Sequence, residues 1–314
     1  MGLDPQAKLF LDIMKQQNTP ALDQLSIEEN RNLNKKLTTF GGQPERVNKV
    51  EDVVIPVREG QITLRLYTPS GEGPFPVFIY YHGGGWVLGD LDIVDVPLRS
   101  ITNSSNALVV SVDYRLAPEN KFPTAPEDCY QALQWVASNI SSYNGDRNRI
   151  AVGGDSAGGN LATVVTQMAK QREGPFISYQ VLIYPATQFS FHTQSHLENG
   201  ENYFLTKSSM IYFAKQYISE KEKNHPYASP LLAPDLTSLP PALIITAEYD
   251  PLRDEGEAYA NRLKESGVPV QLERYEGMIH GFFWLSGIMD QGKKAIDQIG
   301  SILKEHFSNS ISHI

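Results

Sequence analysis

Five short, almost continuously apolar runs recur along the chain: Pro76 to His82, Ala107 to Tyr114, Arg149 to Gly154, Tyr179 to Pro185 and Pro241 to Ala247. A strand wetted on one face alternates polar and apolar residues. These runs do not, so each reads as a strand buried on both faces. Helix-like stretches such as "APEDCYQALQWVASNI" and "EGEAYANRLKESG" lie between them. Repeated strand–helix units of this kind call for an α/β fold, a mostly parallel sheet flanked by helices on both faces. Two further strands, "VEDVVIPV" and "QITLRLYTP", read as a hairpin turning at Arg58 to Gly60. An eighth, Val268 to Gly277, alternates more. A chain of 314 residues with 41% hydrophobic content is long enough to bury such a sheet and carry an accessory layer as well.

Two segments fall outside the repeat. Residues 1–49 are polar, with Leu9, Ile13 and Met14 at helical spacing before Gly41, Gly42 and Pro44 interrupt the pattern. More than fifty residues separate Pro185 from Pro241, too many for a structureless crossover in a compact domain. The expectation is that residues 188–228 form a helical insertion that joins residues 1–49 in a cap, over a main domain spanning 50–314.

The stretch "IAVGGDSAGGNL" packs four glycines around Ser156 where a strand gives way to a helix. Gly154-Asp155-Ser156-Ala157-Gly158 fits the G-x-S-x-G elbow, a turn so tight that side chains two residues before and after the serine would collide. Such a turn strains the serine backbone and lifts its hydroxyl above the sheet. A neutral hydroxyl needs a base, an orienting carboxylate and amides for the developing oxyanion. Asp250 and His280 each follow a strand end, in the chain order serine, acid, histidine, and open α/β sheets place their chemistry at such ends. "YYHGGGWVLGD" puts Gly83 and Gly84 directly after a buried strand, so their N–H groups, with that of Ala157, are the expected oxyanion donors.

Taken together, "HGGGW", "DYRLAPE", "GGDSAGGNL", "YDPLRDEG" and "MIHGF" resemble the hormone-sensitive-lipase-like group of α/β-hydrolases, which includes the bacterial family IV esterases. The resemblance runs from about Val50 onward. It implies an eight-stranded, mostly parallel sheet with a helical cap. It also implies hydrolysis of carboxylic esters with short to medium acyl chains, and no cofactor. By motif it carries Ser156 over as nucleophile, Asp250 as acid and His280 as base. An amidase or small-molecule deacetylase would use the same machinery. A non-catalytic receptor on this fold would typically have lost the histidine, and His280 stands in its motif.

Other residues have blander readings. Asp254 competes with Asp250 but falls where a helix should begin, where a carboxylate suits the helix dipole. His82 reads as a loop anchor. Asp113, Arg115, Glu119 and Asp155 read as a hydrogen-bonding scaffold beneath the site. His192 and His196 stand four apart as two zinc ligands might, yet no third ligand accompanies them, so no metal is expected. Trp86, Tyr203, Phe204, Phe213 and Phe282 are candidate pocket residues, since ligand pockets are mostly apolar. The formal charge of −9, without a Lys/Arg cluster, argues against a nucleic-acid partner. A small ester is the expected partner, and a homodimer is compatible with the sequence. No apolar run approaches membrane-spanning length. With a single cysteine, Cys129, and no secretory pattern in "MGLDPQAKLF", a cytoplasmic setting is expected.

Overall fold

The structure is a computed structural model that describes residues 2–18 and 20–309. Its centre is an eight-stranded sheet: β1 (Lys49–Val57), β2 (Gly60–Thr68), β3 (Phe75–Tyr81), β4 (Leu108–Asp113), β5 (Gly145–Asp155), β6 (Tyr179–Ile183), β7 (Ala242–Tyr249) and β8 (Val270–Ile279). The spatial order is β1-β2-β4-β3-β5-β6-β7-β8. The β1–β2 hairpin and the β2–β4 pair are antiparallel, and every other pairing is parallel. The chain leaves β3 toward β4 on one side and returns to β5 on the other, so the order reverses around β3. A crevice at such a switch point, beyond the carboxyl ends of the strands, is where open α/β sheets bind ligands.

The lack of alternation in the strand sequences has its cause here. Val77, Ile79 and Tyr81 of β3 enter one core and Phe78 and Tyr80 enter the other, all fully buried. The first core is closed by α4 (Thr124–Asn139), α5 (Ala157–Gln171) and α8 (Arg253–Glu265), through residues such as Leu133, Leu161 and Leu263. The second is closed by α3 (Asp95–Ser105) and α9 (Asp290–Asn309), through Leu98, Ile101, Ile299 and Leu303.

Residues before β1 form α1 (Pro5–Gln16) and α2 (Ile27–Lys36). Asp4 caps α1, and its backbone N–H donates to the Gly277 carbonyl of β8 at 3.0 Å. Phe10 of α1 is fully buried in the second core. Ser26 and Glu29 form a reciprocal capping box at the start of α2. The long interval between β6 and β7 contains α6 (Gln194–Asn199) and α7 (Lys207–Tyr217). Among the described residues no helix is long and apolar enough to cross a membrane.

Strand β5 ends at Asp155 and α5 begins at Ala157, so Ser156 alone makes the junction. The turn has no room for side chains beside it. A Cβ on Gly154 would lie 2.4 Å from the carbonyl carbon of Gly158, and one on Gly158 would lie 1.9 Å from the Tyr81 carbonyl oxygen. Backbone on both sides forbids relief by a rotamer change. Gly158→Ala should therefore destabilise the fold by about 3 kcal/mol or more, read as a lowered urea midpoint.

Candidate active site

Ser156 sits at φ 57° and ψ −118°, a conformation that strains any residue with a Cβ. Its N–H donates to the Ile183 carbonyl at 2.8 Å, and its carbonyl accepts from Asn160 and Ala186 at 3.1 and 3.2 Å. These bonds hold the strained turn against β6. The hydroxyl is thereby presented above the carboxyl ends of the strands.

His280 follows the last residue of β8, and Gly281 at φ +87° turns the chain immediately afterwards. Asp250 follows β7 and is fully buried. Asp250 Oδ1 accepts the Leu252 N–H at 2.8 Å, and Oδ2 lies 2.7 Å from His280 Nδ1. A carboxylate can only accept, so Nδ1 carries the proton and Nε2 is the lone pair. Nε2 stands 3.0 Å from Ser156 Oγ and accepts from it. The three residues thus form one hydrogen-bonded line across three strand ends. The Tyr184 ring packs against the imidazole with centroids 4.5 Å apart, which limits its rotation.

The glycine loop after β3 corrects one expectation. The Gly83 N–H already donates to Asp155 Oδ1 at 2.9 Å, and a Cβ there would meet Asp155 Oδ2 at 2.4 Å. Gly83 is therefore an anchor, not an oxyanion donor. Among the described residues nothing accepts from the N–H groups of Gly84 and Gly85. Gly84 is at φ +115°, and a Cβ on Gly85 would strike the Phe213 ring at 2.4 Å. With Ala157, at the first position of α5 where helical N–H groups have no internal acceptor, these are the amides left for an anion.

Asp155 joins this loop to the elbow. It is 2% exposed and also accepts from Tyr80 Oη at 2.9 Å. Burial pushes its carboxyl above the ordinary range, and the two donors oppose that rise. His82 donates from Nδ1 to the Gly83 carbonyl at 2.7 Å, and its ring stacks on Tyr114 at 4.4 Å. Arg115 pairs with buried Asp128 at 2.7 Å. Glu119 faces outward and pairs with Arg31 of α2, so it ties the N-terminal segment down and is not buried scaffold. The Asp113 carboxyl is raised, chiefly by burial.

A cavity of about 480 Å³ opens over Ser156 and His280. Its wall includes Phe204 and Phe213 as well as Met14, Leu22, Leu33, Leu88, Tyr212 and Trp284. Trp86, Tyr203 and Phe282 are not in it. Trp86 stacks on Tyr217 at 4.6 Å, Tyr203 packs on Tyr249 at 5.1 Å, and Phe282 is enclosed by Tyr184 and Tyr275. Trp284 takes the place of Phe282 because the Gly281 turn folds the chain back, bringing the indole against Gly281 itself. The "GFFW" run is the only sequence signal for it.

Asp254 lies in the first turn of α8, accepts the Ser195 N–H at 2.7 Å and pairs with Arg253, away from His280. His196 Nδ1 accepts the Thr193 N–H at 3.2 Å, and its Nε2 stands 3.6 Å from Glu255 Oε2. Among the described residues no His/Cys/Asp/Glu group could hold a metal.

Known proteins bear on this geometry. A family described as α/β hydrolase fold matches residues 78–284. An arylesterase of Saccharolobus solfataricus is 36% identical over 98% of this chain and 100% of its own. The carboxylic ester hydrolase LipN of Mycobacterium tuberculosis is 42% identical over 82% of this chain and 71% of its own. A hyperthermophilic esterase from Pyrobaculum calidifontis superposes with a TM-score of 0.93 at 45% identity, covering 97% of this chain and 99% of that one. Fold and site together define an α/β-hydrolase. The chain belongs to the hormone-sensitive-lipase-like family of that fold.

The buried pair beside the site has a pH signature. Burial raises Glu255 to about 8 and lowers His196 to about 4. Between pH 4.5 and 8 the folded state holds a Glu255 proton that the unfolded state has released, so this group's contribution to stability falls as pH rises across that window. Glu255→Gln keeps an oxygen for the Thr187 and Gln188 N–H groups and removes the titration. Its melting temperature should decline less than that of the wild type between pH 5 and 8, by differential scanning calorimetry.

Proposed function

We infer that the protein is a carboxylic ester hydrolase that works through an acyl-enzyme on Ser156. The single observation that carries this reading is the unbroken Asp250–His280–Ser156 line opening into an apolar cavity beside unpaired amides. In the first half-reaction Ser156 Oγ attacks the ester carbonyl and its proton passes to His280 Nε2. Asp250 holds the tautomer and stabilises the imidazolium. Negative charge developing on the carbonyl oxygen falls to the N–H groups of Gly84, Gly85 and Ala157. Each such donor is worth about 10²–10³ in rate. The imidazolium returns its proton to the departing alkoxide. Water, deprotonated by the same nitrogen, then cleaves the acyl-enzyme.

The cap belongs to this reading. Met14, Leu22 and Leu33 from residues 1–49, and Phe204, Tyr212 and Phe213 from the insertion, form the cavity wall opposite Ser156. The two segments touch through the Phe10 and Phe204 rings, 5.4 Å apart, and through Asn30 Nδ2 and Tyr212 Oη at 3.2 Å. Among the described residues no Lys or Arg lines the cavity, which suits a neutral ester of short to medium acyl chain. Cys129 is buried and unpaired, in keeping with a cytoplasmic setting.

Turnover of nitrophenyl esters of graded acyl length tests the reading. Activity should peak at short to medium chains, and Ser156→Ala should lower kcat by at least about 10³ with the fold intact. A phosphonate ester should label the wild type once per chain and leave Ser156→Ala unlabelled. Near-normal rates in that variant would overturn the assignment.

A further inference from the structure

The segment between β6 and β7 does more than wall the cavity. Helix α6 lies against the turn that carries Asp250, and buried side chains make the contact. Asn199 is 4% exposed and donates from Nδ2 to the carbonyls of Glu248 and Asp250 at 3.2 and 3.3 Å. Ser195 is fully buried. Its Oγ donates to the Pro251 carbonyl at 2.7 Å and accepts the Asp254 N–H at 3.2 Å, and its own N–H donates to Asp254 Oδ2 at 2.7 Å. Through Asn199 and Ser195, four residues of the 248–254 turn are therefore hydrogen-bonded to α6 from outside. On its inner side the same turn offers Asp250 to His280. Neither Asn199 nor Ser195 lines the cavity.

We propose that Asn199 and Ser195 are positioning residues: they fix the Asp250 turn from behind and through it set the imidazole of His280 against Ser156. The proposal rests on the esterase reading above. Its physical basis is that Asp250 is wholly buried and has no water to re-solvate it, so its carboxylate goes where its backbone goes. If α6 lets go, the Pro251 carbonyl loses its Ser195 donor and the carbonyls of residues 248 and 250 keep only Arg253 as theirs, and a buried carbonyl stripped of donors is costly enough to re-orient a peptide. A misplacement of about 1 Å in a catalytic group costs on the order of 10² in rate. The arrangement also has a consequence for substrate. A few residues beyond α6 the same segment supplies Phe204 and Leu205 to the cavity wall, so the wall the substrate meets and the brace on the acid belong to one piece of chain.

Asn199→Ala and Ser195→Ala test this in the full-length enzyme, with kcat and KM for a nitrophenyl ester measured across pH. Rates are taken per active site titrated with a phosphonate, so that misfolded material drops out of either variant. Glu198→Ala is the comparison on the same helix, since its half-exposed carboxylate accepts from the Arg253 and Gln194 side chains and touches no carbonyl of the turn. The expected result is a loss of about 10-fold or more in kcat for Asn199→Ala and Ser195→Ala, with KM little changed. The acid limb of the kcat profile moves to lower pH as the imidazolium loses part of its counter-charge. Glu198→Ala keeps the wild-type kcat and profile. Superimposable kcat and pH profiles in both buried-residue variants would overturn the proposal, as would an equal loss in Glu198→Ala, which would mark α6 as packing alone. A wild type that neither turns over esters nor takes the phosphonate overturns the esterase reading itself, and this proposal with it.

Discussion

The carbonyl oxygen of Tyr81 stands where any side chain on residue 158 would have to go. That contact is set by register, because β3 and β5 pair in parallel up to Tyr81 opposite Gly154. Two strands at the middle of the sheet thus bring backbone against the first turn of α5, and the chain can pass there only with glycine at positions 154 and 158. The strained φ of Ser156 follows from that passage. The strain is tolerated because the hydrogen bonds to Ile183, Asn160 and Ala186 over-determine the turn from the neighbouring strand and helix. Everything reactive in the molecule is placed relative to this one crowded point.

Asp155 extends the same constraint sideways. It directly precedes the nucleophile, and its buried carboxylate takes the Tyr80 hydroxyl and the Gly83 N–H. Burial alone would disfavour a carboxylate at that position, and the two donors counter it. Hydrogen bonds to an ionised group are roughly twice as strong as neutral ones, so the link between elbow and glycine loop is firm. Fixing Gly83 in this way leaves the next two amides as the ones with no protein acceptor among the described residues. The donor set we propose is therefore displaced by one residue from the simplest reading of "HGGG".

That displacement shows what the sequence can and cannot convey. Strands and the Ser156, Asp250 and His280 positions are legible because each is a local pattern at a strand end, and topology brings strand ends together. The glycine run is equally legible as a loop that exposes amides. Which amide is free depends on a carboxylate more than seventy residues away, and no local pattern reports it. The aromatic residues are harder for the same reason. Phe204 and Phe213 reach the cavity, while Trp86, Tyr203 and Phe282 find partners in Tyr217, Tyr249 and Tyr184. Both groups are aromatic, and only three-dimensional adjacency separates them. The β1–β2 hairpin, by contrast, was set by its turn and alternation alone.

The segments over the site are not anchored equally. Helix α1 is held by the burial of Phe10, worth about 2–3 kcal/mol, and by the Asp4–Gly277 backbone bond to β8. Helix α6 is held by five buried or part-buried hydrogen bonds between Ser195, Asn199 and the acid turn, whose rupture costs more than that of an exposed ion pair. Helix α2 leans on Arg31, which reaches the carbonyls of Val87 and Ala117 at 3.0 Å and pairs with Glu119 at 2.8 Å. Glu119 is 55% exposed, and ion pairs of that kind contribute roughly 1 kcal/mol or less. The contact of α2 includes an exposed ion pair that water readily replaces, whereas that of α6 includes two fully buried bonds to the turn carrying Asp250. Of the segments over the cavity, the one that braces Asp250 is therefore held more firmly than the one beside the glycine loop.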